Sequence, residues 1–254
     1  MAASLALVDK SANRRHDPIV ALVPPQILWA AAQFAGADDC KEVLTHICLR
    51  TVPDKGGTES PAVEVTSIDG HRLFRAVIPS TEHFYGHSDT IDNEKGFKLK
   101  AKPLRKRVAY AHYALIRKSG IVEFIGGKKS KTADTLPTES LSSVNASSHP
   151  WDDATFPHTG NLWPDRFGLN TERPIAFKAS YLVDFCNVVS KLSLNGIVKM
   201  ERNGNNTPAV FTCDCDVFSV EERVTLECLI MPVASLDIVR QYKNELDALD
   251  AADL

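Results

Sequence analysis

The chain alternates short apolar, β-branched runs with polar stretches, and three amphipathic segments interrupt the alternation. In "IVALVPPQILWAAAQFA" a strand is followed by a helix from about Pro24, because Ile27, Leu28, Ala31 and Phe34 recur at helical spacing and a proline suits a first turn. Strands are expected at "VLTHICLRTV", "AVEVTSI" and "RLFRAVI", with the polar loop "PDKGGTESP" between the first two. The second segment runs from "GFKLKAK" into "PLRKRVAYAHYALIRK". Here Leu104, Val108, Ala111 and Leu115 form one apolar stripe, so a second helix is expected, followed by the strand "GIVEFIGG". In the third, "SYLVDFCNVVSKLS" places Leu182, Phe185, Cys186 and Val189 on one stripe with Ser180 as N-cap. The strands "GIVKMER", "AVFTCDCDVFSV" and "RVTLECLIMPV" complete that unit.

A strand, a helix and further strands thus recur three times, which predicts an α+β fold of repeated β-α-β-β-β half-domains with helices on one face of antiparallel sheets. The expected organisation is a flexible leader over 1–18 and a complete two-half domain over 19–170, with a Ser/Thr-rich insertion at about 128–152. A further half-domain follows over 171–234, and then an acidic helical tail over 235–254. The 254 residues suffice for a real core. No apolar run approaches the ~20 residues that span a bilayer. The start has no long apolar stretch followed by a cleavage site, so a cytoplasmic protein is expected, with no membrane partner.

Net charge is −3, but it is segregated. Between Lys95 and Lys131 there are twelve cations and one acid, Glu123, while the remainder carries 17 cations and 31 acids. A basic segment on an acidic protein is the footprint of a polyanion contact.

Six cysteines, at 40, 48, 186, 213, 215 and 228, contain no Cys-x-x-Cys pair. They read as small buried hydrophobes in a reducing compartment, with Cys213 and Cys215 on one face of a strand. No metal or other cofactor is assigned. "GIVEFIGGKKSKT" fails the phosphate-loop spacing, with Val122 in place of the first glycine and Lys129 in place of the Ser or Thr. His83, His87 and Asp89 in "HFYGHSD" read as a surface loop. There is no Gly-x-Ser-x-Gly elbow and no His-Glu-x-x-His, and no carboxylate pair has recognisable spacing. No catalytic residue is therefore assigned, and the protein is not read as an enzyme.

The Asp69-Gly70 step between "AVEVTSI" and "RLFRAVI" signals a hairpin, with a type I′ turn at that step. "SIDGHRLFRAVIP" resembles the Thr-Asp-Gly-His-Arg-Leu hairpin of bacterial DNA polymerase III β sliding clamps. "ATFPHTGNLWP" is similar to that family's Gly-x-Phe-Pro-Asp-Tyr segment. The Ser-Tyr-Leu helix start and the closing "LECLIMPV" are similar to its final half-domain. The resemblance runs with gaps from about Ile19 to Val233.

It implies a DNA-clamp-like fold and an apolar pocket that accepts a short peptide from polymerases and other clients. Carried over residue by residue, one wall is Leu44, Ile68, Gly70, His71, Arg72 and Leu73. Pro157 and Leu162 come from the Phe-Pro segment. The other wall is Tyr181, Pro208, Leu229, Ile230, Met231, Pro232 and Val233. An apolar groove with a few fixed polar groups suits hydrophobic peptide anchors, and Met231 adds an adaptable surface.

The resemblance also implies sequence-independent contact with duplex DNA. The expected contacts are Lys98, Lys100, Lys102, Arg105, Lys106, Arg107, Arg117 and Lys118, carried by the second helix and its approach. A homo-oligomeric ring and a clamp loader are the further partners implied. The chain departs from the family in having three halves where a family subunit has six. Ile68 and Val233 replace Thr and Met, and Asn161 replaces Arg. The alternative reading is a non-encircling module that binds client peptides or regulates the replisome.

Overall fold

A computed structural model describes residues 17–37, 42–53, 61–81, 84–86, 91, 95–106, 108, 110–126, 139–147, 156–157, 177–193, 196–202, 208–216 and 223–232. Within them lie twelve strands and two α-helices. The first half of the chain supplies β1 (Ile19–Val23), α1 (Pro25–Phe34), β2 (His46–Val52), β3 (Ala62–Ile68), β4 (Arg72–Ile78), β5 (Tyr85–Gly86) and β6 (Phe97–Lys100). Then come β7 (Ala111–Arg117), β8 (Ile121–Gly126), β9 (Glu139–Asn145), α2 (Ala179–Leu192), β10 (Lys199–Arg202), β11 (Ala209–Asp216) and β12 (Arg223–Ile230). All strand pairs are antiparallel. One sheet has the order β5-β1-β7-β8-β9 and the other β10-β11-β12-β4-β3-β2-β6.

α1 carries no charged residue and is apolar nearly all round, as a helix enclosed on several sides must be. It packs on β2, β3 and β4 and also reaches β7, so it lies between the two sheets. Pro25 stands at its first position, where the missing N–H costs nothing. The Arg105 guanidinium donates to the carbonyls of Ala32 (3.2 Å), Ala35 (3.1 Å) and Gly36 (2.9 Å), satisfying acceptors that the end of α1 leaves open. α2 packs on β11 through Phe185, Val188, Val189 and Leu192. Phe34 of α1 links the helices to the sheet, with Phe74 stacked at 5.3 Å and Phe185 edge-on at 6.3 Å.

Three expectations are corrected. The second helix does not form: Lys102–Leu104 is a single 3-10 turn, and Ala111–Arg117 is the strand β7. This strand lies between β1 and β8 and is buried on both faces, so its apolar positions do not alternate. A run of that kind fits a helical stripe as well as a strand. In α2 the buried stripe is 185, 188, 189 and 192, which leaves Cys186 exposed. The N-cap is Lys178, with an extended backbone and no side-chain cap; Ser180 lies inside the first turn.

β12 pairs with β4 from Thr225↔Val77 to Ile230↔Arg72, so the two share one sheet. β9 falls within the expected insertion and pairs with β8. The leader through residue 16, the tail from residue 233, and His83, His87 and Asp89 lie outside the described residues.

Among the described residues no helix is long and apolar enough to cross a membrane. Nor does any cluster of three His, Cys, Asp or Glu there suit a metal ion. Cys48, Cys213, Cys215 and Cys228 are buried, and the Sγ atoms of Cys213 and Cys215 lie 3.8 Å apart on one face of β11.

Candidate functional site

The hairpin β3–β4 closes through two central residues, Gly70 and His71, because the Asp69 N–H donates to the Arg72 carbonyl at 3.3 Å. Gly70 has φ +94°, and no other residue of the turn is left-handed. That is the φ pattern of a type II′ turn with glycine first, one residue on from the expected type I′ at Asp69-Gly70. The Asp69 carboxylate accepts from the N–H groups of His71 (2.9 Å) and Arg72 (3.0 Å), which fixes His71 at the apex. Leu44 lies beneath this apex; its Cδ1 is 3.9 Å from where a Cβ on Gly70 would sit.

Two later parts of the chain meet the apex. At the end of β12 the Met231 N–H donates to the His71 carbonyl at 2.9 Å, and the Met231 side chain is exposed. Pro232 follows and is half-buried, as is Pro208, which precedes Ala209, the register partner of Ile230. From α2, the ring of Tyr181 stacks on His71, with centroids 6.0 Å apart and planes 20° apart.

Alternation along the strands divides the remaining expected residues between two faces. Ile68, Leu73 and Leu229 are direct cross-strand partners and share one face. Arg72 and Ile230 share the other, where the Arg72 guanidinium lies between the rings of Phe34 (5.0 Å) and Tyr181 (4.9 Å). Leu73, Leu229 and Ile230 are buried, so on both faces they pack into the interior rather than present a surface.

Arg72 is the most constrained group. Its Nε donates to Asp69 at 2.7 Å, Nη1 donates to Asp184 of α2, and Nη2 reaches the Gln33 carbonyl at 3.5 Å. Burial alone would lower its pKa, but the hydrogen bonds to Asp69 and Asp184 raise it above the ordinary arginine value. Asp184, Phe34 and Lys178, whose Nζ lies 5.2 Å from the Tyr181 ring, were not anticipated. Asp184 stands three residues after Tyr181 on α2, and its opposite charge to Arg72 is the signal that could have found it.

Pro157 lies farther off. Its neighbour Phe156 is buried against Arg50 of β2, accepting a hydrogen bond at 3.3 Å through its carbonyl, with its ring 5.8 Å from the guanidinium. Arg50 is opposite Glu64, four residues or roughly 13 Å of strand from Ile68. Leu162 and Val233 lie outside the described residues.

The cations of residues 95–131 do not share a helix. Lys98 and Lys100 project from one face of the edge strand β6. Lys102 and Lys106 are exposed around the 3-10 turn, and Lys118 is exposed in the β7–β8 turn. Arg105 is held by the α1 carbonyls. Arg117 is buried: its Nε donates to Glu123 at 2.6 Å and Nη1 to the Asp17 carbonyl at 3.0 Å, so its expected place on a DNA-facing surface is corrected. Glu123 reaches Arg117 through the β7–β8 register, which composition does not record. Arg107 lies outside the described residues.

No protein-family model matches the chain, and no curated protein matches it in sequence. Among solved structures it is similar to a DnaN sliding clamp (DNA polymerase III subunit beta) from Bartonella birtlesii, a crystal structure bound to griselimycin. The TM-score is 0.50 at 14% identity, over 84% of this chain and 65% of that one. The chain therefore has a sliding-clamp-like fold of mostly antiparallel sheets with few helices, and it spans less than two thirds of that clamp subunit.

Proposed function

We propose that the protein is a sliding-clamp-like processivity factor that holds duplex DNA and tethers polymerase or repair clients through a short hydrophobic peptide. The peptide lies at the junction of the β3–β4 turn, the start of α2 and the end of β12. The observation that carries this reading is the His71–Tyr181 stack with exposed Met231 hydrogen-bonded beside it. Aromatic, imidazole and thioether groups from three separate elements converge there beside buried apolar residues of β4 and β12, which suits hydrophobic peptide anchors. Lys98, Lys100, Lys102, Lys106 and Lys118 are the described cations that supply sequence-independent phosphate contacts. No catalytic step belongs to this function.

A second reading is a clamp-like module that binds the same peptides without encircling DNA. The scatter of those lysines over an edge strand and two turns favours it, since an encircling surface lines up its cations. Two measurements decide. A Gln-Leu-Asp-Leu-Phe peptide is titrated against the protein, and no saturable binding refutes the peptide site. Retention on closed circular DNA is then compared before and after linearisation, alongside native mass by light scattering. Loss on linearisation by an oligomer supports encirclement; equal retention on both forms, or a monomer, supports the second reading.

A further inference from the structure

The resemblance implies that Arg72 stands in a peptide-contacting wall, yet its side chain is only 10% exposed and each guanidinium nitrogen has a partner. A group so enclosed does not reach a ligand. It does join the turn that carries His71, the end of α1 and the part of α2 that carries Tyr181. Through Asp69 it is tied to the turn whose backbone positions His71. Gln33 and Phe34 tie it to the end of α1, and Asp184 and Tyr181 to the first turns of α2. Asp184 lies about one helical turn beyond Tyr181, so pulling on one orients the other.

We propose that Asp184 is a positioning residue for the peptide site: by holding Arg72 against α2 it sets the separation of the His71 and Tyr181 rings and hence the opening of the groove. This rests on the reading of that junction as a peptide site. The Asp184 side chain is 45% exposed, unlike that of Arg72. An ion pair with one solvated partner adds little to global stability. Its value lies in geometry: a planar fork between two carboxylates and two rings fixes a distance that a lysine would not.

The test uses the full chain. Asp184→Asn should weaken Gln-Leu-Asp-Leu-Phe binding about tenfold with a nearly unchanged thermal midpoint. Asp184→Glu should restore affinity to within about threefold of wild type. In a Tyr181→Leu background Asp184→Asn should have no further effect, because the residue it positions is gone; additive losses would overturn the proposal. A second readout needs no peptide. The His71 ring protons feel the ring current of Tyr181, and their NMR shifts should move in Asp184→Asn toward those of Tyr181→Leu. Unmoved shifts refute positioning by Asp184. If the wild type binds no peptide while the shifts move, the peptide reading fails and the positioning stands.

Discussion

His71 and Tyr181 lie face to face, 6.0 Å between centroids, although one caps a hairpin in the first sheet-forming segment and the other opens a helix far along the chain. Each ring therefore depends on the other's element for its place. His71→Ala and Tyr181→Ala should each weaken peptide binding about tenfold, roughly 1.4 kcal/mol. Their combined effect should fall short of the sum by about 0.5–1.5 kcal/mol, the range of coupled aromatic pairs. Titration of the two single variants and the double variant measures this; strict additivity would mean that the rings act independently.

The Arg117–Glu123 pair is buried on both sides, so removing Arg117 takes an ion-pair partner from a buried carboxylate. Arg117→Ala should destabilise the fold by about 3–5 kcal/mol, whereas Arg117→Met with Glu123→Leu should recover most of that loss. Chemical denaturation midpoints distinguish the cases. A loss of under about 1 kcal/mol in the single variant would show that water reaches the pair.

Burial pushes the Cys48 thiol up from an ordinary 9.0 to about 11, with Arg50 opposing the shift. The native state thus favours the neutral thiol, so stability is unaffected below pH 9. It falls between pH 9 and 11 by about 1.4 kcal/mol per pH unit as the unfolded chain ionises first. Burial raises Cys228 as well, which steepens the decline. Stability measured from pH 8 to 11 should fall at least this steeply, and Cys48→Ala should lessen the slope by about 1.4 kcal/mol per pH unit. At pH 8 a thiol reagent should modify exposed Cys186 while Cys48, Cys213 and Cys228 stay protected.

Two glycines with left-handed φ differ in what surrounds them. Gly120 has φ +83°, and a Cβ there would lie 2.3 Å from the Ser147 Cα, a backbone atom that has no slack. Gly70 has φ +94° but no clash, with Leu44 at an ordinary contact distance of 3.9 Å. Gly70→Ala should cost about 1–2 kcal/mol from φ alone, and Gly120→Ala distinctly more. Equal midpoints in thermal denaturation would contradict the contact with Ser147.

Local pattern revealed most strands as short β-branched runs bounded by turn residues, and the start of α1 to within a residue through its proline. It failed at β7, where burial on both faces erases the period of two. Of the candidate residues, His71, Tyr181 and Met231, each within a contiguous motif, lie together in the fold. What sequence order did not reveal was sidedness. Arg72 and Leu73 are neighbours in the chain yet lie on opposite faces of β4, and Asp184 enters only through the packing of α2. For the cations, a lysine-rich run carries its charge wherever it folds, so composition recorded their density and not their direction.

The pairing of β4 with β12 has a consequence for the nascent chain. β4 finds β3 within a hairpin, but its other edge waits for residues 223–230, with β5 through β11 synthesised in between. At about 5–20 residues per second that interval is on the order of ten seconds. During it an edge bearing Leu73 and Phe74 is open to foreign strands. The sheet that carries the site is thus closed last, by its most distant strand, and the ribosome-bound chain is the form most exposed to mispairing.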